Sequence, residues 1–353
     1  MKNYLNAFFV GILLVTTFSN CSKSNIDPTV DGDNDSTITT PYTPEFLFAG
    51  LQYTGKYNNN HWRAVAVIKD SIIQLSPNMT SDAIGIVRVQ NDVYVAGKQK
   101  NAANETFVSY WKNGKLNRLS EGKPGNLATA IHTDGKNVYI AGKVRDVQVE
   151  PTTYMWTNGK RERKACCLAM TGIYAIDTYD GKVVAAGKFA NLATMWKDGS
   201  AIALAPQGSG AEYIKVVNKE AYVLGRENSS QSTNAVSVWK DDVEVFKNQI
   251  GFNIINVKGF MEGKDYYYAV NYNDDNYKKR TAIYKNKQLL YKLGGNNEAT
   301  ITGIKFHKGK VYTVGNLFLS NGGVQAMFWE DGKAKTDFLK GKPIFINDFF
   351  LST

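Results

Sequence analysis

Large apolar residues fall in short runs separated by polar, glycine-rich segments, and two kinds of run alternate along the chain. The first carries aromatic and β-branched residues and mostly closes on Ala-Gly or Val-Gly. Its copies are Phe46 to Gly50, Val93 to Gly97, Val138 to Gly142, Val183 to Gly187, Ala221 to Gly225, Tyr266 to Val270 and Val311 to Gly315. The second leads through a tryptophan into Asn-Gly or Asp-Gly: Trp111-Lys112-Asn113-Gly114, Trp156-Thr157-Asn158-Gly159, Trp196-Lys197-Asp198-Gly199 and Trp329-Glu330-Asp331-Gly332. Weaker copies stand at Trp239, Tyr284 and Ile68. Runs this short, bounded by turn residues, predict strands. Asn-Gly or Asp-Gly between them predicts two-residue hairpins, because both central residues of a type I′ turn have positive φ.

The spacing turns these strands into an architecture. From the last residue of each first run to the next Trp-column residue the interval is 14 in five cases, 18 after Gly50 and 9 after Gly187. The return interval is 29 or 31 throughout, so the period is about 45 residues. A fixed period of that length carrying only strand signals predicts a β-propeller. Each repeat parses into four strands, with Asp134-Gly135, Asp180-Gly181 and Lys308-Gly309 turning the first into the second. The first repeat lacks its own innermost strand, and the segment Pro343 to Phe350 is left over to supply it. The expected fold is therefore all-β: a seven-bladed propeller over residues 45–353, with four-stranded blades. A C-terminal strand closes the ring by joining the N-terminal three-stranded blade.

The Trp-x-Asn-Gly-x element behind a Val/Ala-Gly strand resembles HAF-type extracellular repeats and, more broadly, bacterial lipoprotein β-propellers. That resemblance implies a fold and leaves the activity open. At the N-terminus, Lys2 and the apolar stretch Ala7 to Phe18 read as a signal peptide over residues 1–20, too short to span a bilayer. Phe18-Ser19-Asn20-Cys21 resembles the lipobox of bacterial lipoproteins, which implies cleavage before Cys21 and acylation of that residue. Ser22 stands where those families place an inner-membrane-retaining Asp, which implies the outer membrane. Residues 21–44 are Ser, Thr, Asp, Asn and Pro with few large apolar residues, the composition of a flexible tether.

Composition and charge narrow the function classes. Of 353 residues 43% are hydrophobic, enough for a large core, and the formal net charge is +10. The cations read as scattered through turns, with no basic run, so no nucleic-acid partner is expected. Three cysteines without a Cys-x-x-Cys pair offer neither a disulfide framework nor a zinc site, and the adjacent Cys166 and Cys167 read as buried small hydrophobes. The three histidines, His61, His132 and His307, belong to different parts of the repeat, so no metal or other cofactor is expected. A nucleophile elbow and a phosphate loop are both missing.

In an up-down blade, the one-to-two and three-to-four turns share one face of the disc. The two-to-three and four-to-one connections share the other. The first face carries stereotyped hairpins; the second carries the length variation, and variable loops on a rigid scaffold are where binding concentrates. The candidate ligand-binding residues are Tyr53, Tyr57, His61 and Trp62 from the loop after Gly50, with Tyr272, Tyr277, Lys278 and Arg280 from its counterpart after Val270. Aromatic faces beside amides and cations suit a glycan or a protein partner. The expected function is a non-catalytic, lipid-anchored binding or scaffold propeller recognising an outer-membrane protein or polysaccharide. The alternative is a carbohydrate-active lyase or hydrolase using Asp82, Glu212 or Glu298 at the channel mouth.

Overall fold

The hairpin residues do more than turn the chain. In the computed structural model, which describes residues 45–54, 62–69, 71–145, 151–166, 172–228, 234–335 and 337–352, Asn113 and Gly114 have φ of 50° and 81°. Asn158 and Gly159 repeat those values. The Asn113 side-chain oxygen accepts the Val93 N–H at 2.8 Å, and its own N–H reaches the Val93 carbonyl at 2.9 Å. Asn158 grips Val138, Asn286 grips Tyr266 and Asp331 grips Val311 in the same way. Each of these four turn residues therefore also fixes the start of its blade's second strand, whereas Asp198 of blade four accepts from the Tyr179 hydroxyl and Lys182 instead.

Among the described residues these strands form seven four-stranded antiparallel sheets, arranged as blades around a channel. The innermost strands of blades two to seven are Thr80–Val89, Leu127–Thr133, Gly172–Tyr179, Gly210–Val217, Asn253–Glu262 and Glu298–His307. Blade one comprises Glu45–Tyr53, Trp62–Ile68 and Ser71–Gln74, completed on the inside by Ile344–Ser352. That closing strand runs antiparallel to Glu45–Tyr53, pairing Glu45 with Ser352 and Gln52 with Ile344. One adjustment concerns blade one: the expected column residue Ile68 pairs with Ser71 across the turn, as Lys112 pairs with Lys115, so the equivalent of Trp111 is Val67.

The core lies between blades. Trp111 of blade two is fully buried against Leu47, Ala64 and Ala66 of blade one, and Trp239 of blade five packs with Val184 and Met195 of blade four. A buried tryptophan contributes by apolar burial, and placing it at five of the blade boundaries, with Val67 and Tyr284 at the other two, couples neighbouring sheets.

The glycine that ends the first kind of run has its own physical cause. Six inner strands carry a β-bulge beside it, leaving Ile84, Thr129, Tyr174, Glu212, Thr302 and Asn347 unpaired in register. The bulge pushes the inner backbone towards the glycine: a Cβ on Gly97 would lie 1.8 Å from the Asp82 carbonyl oxygen, and one on Gly187 1.9 Å from that of Gly172. Blade six has Val270 there, and its bulge sits earlier, between Ile254 and Asn256, so that Val257 pairs with Val270 directly. The exception shows the rule: a side chain at this position moves the bulge.

Candidate functional site

On the face carrying the two-to-three and four-to-one loops, a cleft of about 610 Å³ opens across blades one to three. Trp62 and Leu51 form its blade-one side, Thr80 to Asp82 with Lys98 and Lys100 its middle, and Pro124 to Leu127 its far side. This is a volume typical of small-ligand sites, with an aromatic plane and few charged groups. The Trp62 ring packs 5.0 Å from Tyr53 and 5.2 Å, edge on, from Phe345, which holds it as a wall. Asp82 lies 3.7 Å from the Lys98 ammonium and accepts a hydrogen bond from Asn347 at 3.2 Å. Burial pushes the Asp82 carboxyl above its usual range, and the Lys98 charge only partly offsets this.

The other predicted residues are distributed differently. Tyr57, His61 and Cys21 lie outside the described residues. Tyr272 is not on the face: only 6% exposed, it stacks on Phe252 at 4.5 Å and belongs to the core between blades five and six. Its position in the strand alternation turns it inward. Arg280 donates to Asp274 at 2.8 Å and to the carbonyls of Gly295 and Asn297, bracing its loop. Tyr277, 86% exposed with φ of 59°, stands at the loop tip beside the exposed Lys278. Tyr53 and Trp62 are therefore brought together at the cleft, whereas the blade-six group stands apart from it.

The three carboxylates considered for catalysis have different surroundings. Asp82 lines the cleft and Glu212 a separate channel of about 490 Å³, while Glu298 accepts the Lys279 backbone N–H at 3.3 Å. Both oxygens of Glu212 are engaged, by Arg226 at 2.8 Å and by the Val257 N–H at 2.6 Å. Burial raises the Glu212 pKa, opposed by Arg226. Asp82 and Glu212 do not line a common cavity.

Deeper in the channel, equivalent positions of blades three, four and five place His132, Asp177 and Lys215 in a row. His132 Nε2 is 3.3 Å from Asp177, and Lys215 is 3.4 Å from the other oxygen. Asp177 also accepts the Val216 N–H at 2.6 Å, bridging blades four and five. Burial brings the His132 pKa from 6.5 down to about 4, despite the Asp177 charge and with Lys215 and Lys305 adding to the shift. His132 Nε2 also lies 3.4 Å from the Thr178 hydroxyl. A histidine whose folded pKa is depressed stabilises above its unfolded pKa and loses that contribution as pH falls. Stability is thus expected to drop between pH 6.5 and 4 by on the order of 3 kcal/mol. Urea melts across that range check it: His132→Gln should flatten the slope, and an unchanged slope would refute the assignment.

Among the described residues no three His, Cys, Asp or Glu side chains cluster as metal ligands. The fold is that of a seven-bladed β-propeller. Solved structures align with this chain at low sequence identity. The periplasmic gluconolactonase PpgL of Pseudomonas aeruginosa aligns with a TM-score of 0.52 and 12% identity, over 88% of this chain and 99% of that one. Pyrococcus horikoshii acylaminoacyl peptidase aligns at 0.50 and 11%, over 85% of this chain and 53% of that one. TolB from Acinetobacter baumannii aligns at 0.40 and 11%, and the chain spans 65% of its length. No family model and no curated protein matches the sequence.

Proposed function

We propose that this chain is a non-catalytic binding propeller of the bacterial cell envelope, anchored by lipid at Cys21, that takes a glycan in the cleft beside Trp62. The cleft carries the reading: an indole plane held by Tyr53 and Phe345 faces Asp82, Lys98 and Asn104, a combination suited to a sugar ring and its hydroxyls. The anchor rests on Lys2, the apolar Ala7 to Phe18 and the lipobox-like Phe18 to Cys21. Two variants of the full chain, made in a lipoprotein-processing bacterium, test the two parts. Cys21→Ser is expected to move the protein from the detergent phase to the aqueous one. Trp62→Ala is expected to weaken glycan-array binding about tenfold while leaving thermal unfolding nearly unchanged. Array signals indifferent to Trp62→Ala would sink the glycan reading, and an aqueous wild type would sink the anchor.

A further inference from the structure

One repeat position collects charge that looks dispersed along the sequence. The residue after the terminal glycine of the first run is Leu51, Lys98, Lys143, Lys188, Arg226, Asn271 and Asn316 in blades one to seven, Val270 taking the glycine's place in blade six. In blades two to five it pairs with the inner strand at Asp82, Leu127, Gly172 and Gly210, all on the side of the variable loops. In blades six and seven the asparagines have a structural task. Asn271 bonds both the N–H and the carbonyl of Ile301 in the next blade, and Asn316 does the same for Ile346. Arg226 keeps part of that task through the Ile254 carbonyl at 3.2 Å.

A lysine cannot accept a backbone N–H, so the four consecutive cations do not duplicate the asparagine clamp. Lys98 and Arg226 sit beside Asp82 and Glu212. Lys143 and Lys188 have no carboxylate within 4 Å among the described residues and are half-buried. Burial, with the Arg226 charge added and the Glu212 charge only partly opposing it, holds the Lys188 ammonium below its usual range. The arc starts in the cleft, where Lys98 shares the lining with Trp62.

We propose that the glycan is an acidic polysaccharide with an anionic group on successive sugars, seated with one ring at Trp62 and its charges along Lys98, Lys143 and Lys188. This rests on the glycan-binding reading of the same cleft. Repetition over three consecutive blades fits a repeating polymer better than a single anion. The aromatic wall at its start favours a sugar chain over other polyanions.

The test is affinity electrophoresis of the full chain in detergent, with polygalacturonate, its neutral methyl ester, dextran sulfate and single-stranded DNA as probes. Polygalacturonate is expected to bind, more weakly as salt is raised, and the ester at least about tenfold less well. Dextran sulfate binding as tightly as polygalacturonate would assign the charge to sulfate and leave the acidic-polymer inference supported. The Lys143→Gln/Lys188→Gln pair should lose about tenfold for the acid and nothing for the ester, with unchanged thermal unfolding, whereas Trp62→Ala should weaken both. An ester that binds as well as the acid, or a double variant that binds like wild type, overturns the inference and leaves the glycan reading standing. DNA binding as tight as polygalacturonate overturns it too, by showing attraction without sugar recognition. No retention by any probe would overturn both.

Discussion

Replacing Phe349 with alanine is expected to lower the unfolding free energy by about 3–5 kcal/mol, the usual range for a large buried aromatic. Phe349 is 1% exposed in the closing strand, packed with Phe48 and Val65 of blade one and Val314 of blade seven. It fills the space above Gly303, where an added Cβ would lie 2.8 Å from its ring. The strand is held by more than packing. Asn316 and Thr302 bond the backbone of Ile346, Asn347 reaches the Ala83 carbonyl at 2.7 Å, and Asp348 accepts the Ile86 N–H. Losing the ring therefore loosens both neighbouring blades, and removing Pro343 onward should abolish the cooperative transition altogether. Denaturant melts followed by tryptophan fluorescence check both. A Phe349→Ala midpoint equal to wild type would show that closure adds little to stability.

Gly97→Ala and Gly187→Ala should each cost about 2–4 kcal/mol, because a methyl group is driven into a backbone carbonyl at 1.8 or 1.9 Å rather than into a yielding side chain. Gly142→Ala is the graded comparison. Its Cβ would meet the Leu127 oxygen at 2.9 Å, so a small backbone shift accommodates it and about 1 kcal/mol is expected. Thermal unfolding of the three variants gives the order directly. Three equal effects would mean that the bulge is not what excludes side chains here. Blade six indicates how the strain is relieved, by moving the bulge, and backbone amide shifts in residues 80–86 should report that movement in Gly97→Ala.

Much of the fold was legible because its determinants are local. Positive-φ pairs such as Asn113-Gly114 mark hairpins, the Ala-Gly ends mark second strands, and their fixed spacing counts the blades. The surplus of strand at the C-terminus pointed to closure on blade one, which the pairing with Glu45–Tyr53 bears out. What local pattern could not show is which contacts the repeated residues make. The bulge beside Gly97 depends on a strand more than ten residues away, and the grip of Asn113 on Val93 spans twenty positions.

The candidate face was legible in outline and not in detail. Trp62 and Tyr53 meet at the cleft, but Tyr272, chosen for its aromatic loop-like setting, is the last buried residue of a strand that extends to Asn273. Arg280 was chosen for its charge, which Asp274 already satisfies. The cations at Lys98, Lys143, Lys188 and Arg226 read as scattered because each is single within its repeat. Aligning the repeats on the terminal glycine brings them into one column, and only the strand register shows that the column borders one mouth of the channel.

The contact that completes blade one also sets an order of events. Glu45 pairs with Ser352, so the partner of an early strand is made some 300 residues later, and the intervening six blades must remain an open arc until then. Closure of the ring therefore waits until residue 352 has been made. A chain cut short before residue 344 would keep an exposed inner edge on blade one, open to pairing with another strand.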